Sequence, residues 1–176
     1  MLLEIQICGI KDTDLEDDVM ALTMQPDAWI ADWNDIIRNI IFKDDDLKEL
    51  MMLPQNTKLI TFIDRYFVRA GTSSVVLKDE DVRIVYSATS VGTIGETVSS
   101  NIISFDIYVK NEHLHNCCDD GMVFRTQMIA LRLRQLLMKQ RYNGVYRFFD
   151  PNEGDMNTST IGYSRYNLTL SFIKLY

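Results

Sequence analysis

A chain of 176 residues with 47% hydrophobic and 24% charged side chains can bury one sizeable core without disulfides or metal, and it reads as a single domain over 1–176. The net charge of −7 argues against tight binding of nucleic acid, whose affinity comes mainly from Lys and Arg neutralising phosphates. No segment is long and apolar enough to span a bilayer, and no basic-then-apolar leader opens the chain. Three cysteines (Cys8, Cys117, Cys118) form no even framework, so reduced thiols and assembly in a cytoplasm are expected.

In chain order, residues 2–10 alternate like a short strand, with Leu3, Ile5 and Ile7 on one side. Residues 14–24 read as a short acidic helix within a candidate N-terminal arm, 1–25, ahead of a core over 26–176. Asp12, Asp14, Glu16, Asp17 and Asp18 crowd this stretch, and a solvated acidic face is the simplest account of them. Asp27 then caps the first main amphipathic helix, whose apolar stripe is Trp29, Trp33, Ile36, Ile37 and Ile40. The Asp44-Asp45-Asp46 run is read as the cap of a short helix, Leu47 to Leu53, closed by Pro54; its spacing is not that of a calcium loop.

From residue 58 the period changes to two. Lys58 to Arg69, rich in Ile, Phe and Tyr, reads as a strand. Val82, Ile84, Tyr86 and Ala88 alternate in a second, and Ile103, Phe105, Ile107 and Val109 in a third. Between them, residues 90–100 are poor in charge and make either a mobile hairpin loop or an extension of both strands. After the second main helix, roughly Gly121 to Arg141, come a strand over Val145 to Phe149 and a polar loop from Asp150 to Thr160. A final strand alternates through Tyr166, Leu168, Leu170 and Phe172. The order predicts an α+β fold: an antiparallel β-sheet flanked by two main amphipathic helices, with the short acidic arm before them.

The second main helix has two apolar stripes where one is usual. Phe124, Met128, Leu131 and Met138 form one; Met122, Ile129, Leu133, Leu136 and Leu137 form the other. Arg125, Arg132 and Lys139 line one seam between them, and Gln127, Arg134 and Arg141 the opposite seam. Such a helix is expected to lie between its own sheet and a second surface, either another helix of the chain or a neighbouring subunit.

Catalytic chemistry finds little support. His113-Leu-His115-Asn-Cys117-Cys118 gathers residue types that zinc accepts, but the donors fall within six consecutive positions and no second cluster completes a tetrahedral set. The expected alternative is a strand-to-helix loop with Asp119 or Asp120 as a cap. A Cys117–histidine pair lacks the third, orienting group of a nucleophilic site, and Gly92 and Gly95 make no phosphate loop. The chain is therefore expected not to be an enzyme and to hold no cofactor or metal. A small metal- or thiol-dependent enzyme or sensor using His113, His115 and Cys117 is the alternative reading.

The layout over roughly residues 27–176 resembles the tail terminator and related neck (head–tail joining) proteins of long-tailed bacteriophages. The likeness rests on an N-terminal amphipathic helix, Asp27 to Phe42, and on the strand Val82-Arg-Ile-Val-Tyr86. A polar loop leads from that strand to Ile102-Ile-Ser-Phe-Asp-Ile-Tyr-Val109. A second helix and a closing pair of strands end in Gly162-Tyr-Ser-Arg-Tyr-Asn-Leu-Thr-Leu-Ser-Phe172. The resemblance is one of layout, because the family has no short diagnostic motif, and the acidic stretch before residue 26 falls outside it.

The resemblance implies a virion subunit that forms a hexameric ring with its own copies, caps the tail tube protein, and docks to head-completion proteins. DNA would pass through such a ring without tight binding, as an acidic wall favours. Interface positions expected on this reading are Arg125, Arg132, Lys139, Arg134 and Arg141 on the second helix, Val91, Ile94 and Val98 in the hairpin, and Asp155 in the 150–160 loop. Replacing Arg132 and Lys139 with Glu is expected to impair assembly and leave the fold largely intact.

Overall fold

A computed structural model describes residues 33–71, 80–93, 98–115, 123–138 and 146–175. The chain divides into two compact units, Met1–Asp35 and Ile36–Tyr176. Of the first, only residues 33–35 are described, and they are helical. The strand expected at 2–10, the acidic helix at 14–24 and the cap at Asp27 lie outside the described residues.

The second unit is α+β, as expected. It opens on a π-helical turn, Ile37–Ile41. Widening the turn by one residue changes which isoleucines face inward: Ile37 and Ile41 are each only 1% exposed, whereas Ile40 is half-buried. Helix α1 (Asp45–Leu50) follows, capped by Asp44, whose carboxylate accepts the Leu47 amide at 2.8 Å. It ends in a Schellman turn: the Leu53 amide reaches Lys48 O at 3.0 Å and the Met52 amide reaches Glu49 O at 2.9 Å.

The segment read as a strand over Lys58–Arg69 is mostly helical. Helix α2 (Leu59–Thr61) runs into a second π-turn, Phe62–Tyr66, and only Phe67–Arg69 extends, as β1. The β-branched and aromatic composition misleads because burial decides here. Phe62 is 1% exposed, 5.2 Å from the Phe42 ring and 5.5 Å from the Phe67 ring. Arg83 Nε fixes the turn from outside by donating to Arg65 O at 2.7 Å, and Arg65 Nε pairs with buried Glu80 at 3.0 Å.

Four longer strands follow: β2 (Val82–Thr93), β3 (Val98–Lys110), β4 (Tyr146–Met156) and β5 (Tyr163–Leu175). The sheet order is β1-β2-β3-β5-β4. β1 pairs with β2 in parallel and every other pair is antiparallel, so the sheet is mixed and not purely antiparallel. Residues 90–93 and 98–100 extend the two strands: pairing resumes after a bulge as Gly92↔Ser100 and Thr93↔Ser99, and Val98–Asn101 also pair with Leu175–Phe172; residues 94–97 lie outside the described residues.

β4 is longer than its sequence suggests. Pairing shifts by one residue between Phe149 and Asn152 and continues to Met156, so most of the expected 150–160 loop, Asp155 included, is edge strand. Pro151 falls in that bulge, where its missing N–H costs no ladder bond. The turn into β5 uses Gly162 at φ +84°, a left-handed conformation that favours glycine.

One sheet face carries the core. Ile84, Ile103, Phe105, Ile107 and Leu168 are fully buried, with the Phe67 ring against both Tyr86 and Phe105. The long helix α3 (Arg125–Met138) covers this face with Ile129, Leu133 and Leu137, each 0% exposed. The other face of β3 and β5 is a polar ladder, in which Ser104 Oγ meets Thr169 Oγ1 at 2.6 Å, and Asp106 accepts from Asn167 at 2.8 Å and Arg165 at 2.9 Å. No described helix is long and apolar enough to cross a membrane.

Candidate functional site

The two apolar faces of α3 have different fates. The Ile129–Leu133–Leu137 face is sealed against the sheet, whereas Phe124, Met128 and Leu131 are only half-buried and Met138 is 37% exposed. Helix α1 packs alongside this second face without closing over it. An open groove of about 520 Å³ remains, with Leu50, Met52, Met128 and Leu131 as its apolar lining and Asp46, Glu49 and Gln135 among its polar lining.

Met52 at the groove is unusual in two ways. It is 39% exposed, and at φ 55° it occupies the left-handed C′ position of the Schellman turn that ends α1. Glycine is the usual occupant there, because a side chain costs on the order of 1 kcal/mol. An exposed methionine is thus held, at some strain, where glycine would relieve it.

Three of the arginines expected to face a neighbour, Arg125, Arg132 and Arg134, are engaged within the chain. Arg125 is 7% exposed; its Nε donates to His113 O at 2.9 Å and its Nη1 to Leu50 O at 3.0 Å. It binds the C-terminus of α1 and the corner after β3 to the start of α3, where the Gln127 side chain also accepts the Phe124 amide in half of a capping box. Arg132 forks onto Asp44, at 2.9 and 2.6 Å, and also meets Asp46 at 2.7 Å. Arg134 pairs with Glu153 on β4 at 2.7 Å. Asp155 is exposed on β4. Val91 and Val98 lie on the hairpin strands; Ile94, Lys139, Arg141 and the expected caps Asp119 and Asp120 lie outside the described residues.

Burial alone would raise the Asp44 carboxyl, but the Arg132 hydrogen bonds, the Leu47 amide and the Arg132 and Lys48 charges together hold it below its ordinary 3.8. A carboxyl depressed in the folded state adds stability that is complete above the unfolded value and disappears as pH falls through the folded one. Wild-type protein is therefore expected to lose more stability than Asp44→Asn between pH 6 and about pH 2, with the divergence beginning below about pH 5. Urea melts of both proteins across that window check it; parallel losses would refute the pairing.

Of the His113–Cys118 cluster, the cysteines lie outside the described residues and the histidines part company. His115 is exposed, with its ring edge-on to Phe124 at 5.0 Å between centroids. His113 turns to Asp81, 3.6 Å away, and to Glu112, 3.5 Å away. Asp81 gave no signal in sequence, since its approach depends on the Val82↔Val109 register.

No protein-family model matches this sequence, and no curated protein matches it either.

Proposed function

We propose that this chain is a structural assembly subunit of a long-tailed phage, a tail terminator or close neck relative, acting through contacts and not through catalysis. The observation that carries the reading is the open groove between α1 and α3, where the second apolar face of α3 stays half-covered and Met52 is held in a strained backbone conformation to line it. Strain retained at an exposed apolar residue is characteristic of a surface selected for binding. The occupant proposed is a second copy of the chain. Repeated heterologous contacts of this kind close into a ring, and an acidic subunit, at −7, suits a ring through which DNA slides.

Light scattering paired with negative-stain electron microscopy tests the reading. The expected result is rings of about six subunits, formed by the protein alone or on tail tubes of the phage that encodes it. A monomer under both conditions sinks it. Two variants test the groove itself. Leu131→Asp is expected to fold and to abolish rings. Met52→Gly should raise stability by about 1 kcal/mol, by relieving the left-handed methionine, and yet weaken assembly. A Met52→Gly protein that is more stable and assembles as well as wild type would remove the groove from the interface.

A further inference from the structure

We propose that Asp81, Glu112 and His113 form a binding site for a divalent first-row cation of the zinc type. The inference is independent of the assembly reading. Among the described residues these three are the group of His, Cys, Asp and Glu able to share an ion, with donor atoms all within 4.8 Å of one another.

The distances fit the chemistry. Zinc bonds imidazole nitrogen and carboxylate oxygen at about 2.1 Å, so neighbouring donors on its tetrahedron stand about 3.4 Å apart. His113 Nε2 lies 3.5 Å from Glu112 Oε1 and 3.6 Å from Asp81 Oδ1. Two edges of the tetrahedron are thus already close to length. The third closes by a rotation of Glu112, whose side chain is 68% exposed, and solvent supplies the fourth ligand. One imidazole and two carboxylates suit zinc or a neighbouring transition ion better than calcium or magnesium, which take oxygen.

The backbone beneath the three donors is fixed from several directions. The Lys110 amide donates to Asp81 O at 2.9 Å, next to the first pair of the β2–β3 ladder, Val82↔Val109. The Asn111 amide donates to Gly162 O at 2.9 Å, Ser164 Oγ to Asn111 Oδ1 at 2.9 Å, and Tyr163 Oη to Glu80 O at 2.9 Å. Donors on rigid strand ends and a single 3₁₀ turn need little ordering to meet an ion.

Lys110 is the competitor. Its ammonium sits 2.7 Å from Asp81 Oδ1, the oxygen that also faces His113. Without metal the lysine satisfies the carboxylate; with metal it gives that oxygen up. The site is therefore set for modest affinity, and removing the lysine charge should strengthen it.

Calorimetric titration of chelator-treated full-length protein with zinc chloride tests this. The expected result is one zinc per chain and a raised melting temperature. Affinity should fall at least tenfold in His113→Ala and in Glu112→Gln, stay unchanged in His115→Ala, and rise severalfold in Lys110→Met. Melting of the metal-free variants shows whether they fold, and Glu112→Gln is the conservative second probe should His113→Ala not. Absence of one-to-one binding, equal affinity in folded His113→Ala or Glu112→Gln, or no gain in Lys110→Met would each overturn the site. An equal loss in His115→Ala would move the ion onto the His113–His115 segment and overturn it as well.

Discussion

Replacing Arg125 with methionine is expected to destabilise the protein by about 3 kcal/mol. The side chain is 7% exposed, and its guanidinium donates to two main-chain carbonyls, Leu50 O and His113 O. Leu50 O belongs to the last turn of α1, where a carbonyl has no partner within the helix, and His113 is the last residue of the 3₁₀ turn after β3. Methionine fills similar volume but leaves both acceptors without this donor, and a charge-assisted hydrogen bond contributes about 1.5–3 kcal/mol. For a domain of this size the loss lowers the melting temperature by roughly 6–12 °C. Arg125→Lys should recover little, since one ammonium cannot reproduce the fork that reaches two carbonyls at fixed angles. Thermal melts of the two variants decide it; a shift below 2 °C for Arg125→Met would mean that water replaces the guanidinium at little cost.

That arginine shows where a single sequence stops being informative. Its position on a seam between two apolar stripes was legible, and so was the existence of both stripes, because helical period survives whatever covers each face. A seam position does not reveal whether a cation points to solvent, to a neighbouring chain or to a carbonyl 75 residues away, as Arg125 does to Leu50. The same holds for Asp44: its role as a cap is local and readable, whereas its pairing with Arg132, 88 residues on, depends on how α1 docks.

Strands β3 and β5, each with one buried face, and β2, whose sequence alternates although Arg83 and Val85 are buried too, were legible for the reason that α3 was. Their period of two records the core. Where that rule fails, the physics differs. Leu59–Tyr66 has strand-like composition but turns as a helix, because Phe62 anchors in an aromatic cluster. β4 beyond Pro151 is an edge strand whose residues 151–153, 155 and 156 are exposed, so no alternation marks it. The parallel β1–β2 pair has no local signature either, since parallel and antiparallel partners bury the same side chains.

Charge reversal at Arg132 is the second large effect, and it separates two roles for this residue. Arg132→Glu removes the two-pronged contact to Asp44 and sets a third carboxylate beside Asp44 and Asp46. The Arg132 and Asp44 side chains are 28% and 11% exposed, so water screens the pair only in part; the expected cost is about 2 kcal/mol, or roughly 4–8 °C in melting temperature. The reversal is thus expected to lower stability as well as to change the surface, which an arginine read as purely interfacial does not imply.

Loosening α1 also moves one wall of the groove, so failure of Arg132→Glu to form rings does not by itself show contact with a neighbour. The compensating change belongs at Asp46, whose side chain is 70% exposed, and not at Asp44, which must remain to cap α1. Arg132→Glu combined with Asp46→Lys is expected to restore about half of the lost melting temperature, since close opposite charges couple by about 1 kcal/mol. Ring formation is measured alongside, because Asp46 and Arg132 both line the groove and the swap exchanges the charges on its rim while keeping α1 in place. Rings that return with the melting temperature would mean that the groove needs α1 in place and not these charges; melting that recovers while rings do not would put the Asp46–Arg132 rim in contact with the neighbouring subunit.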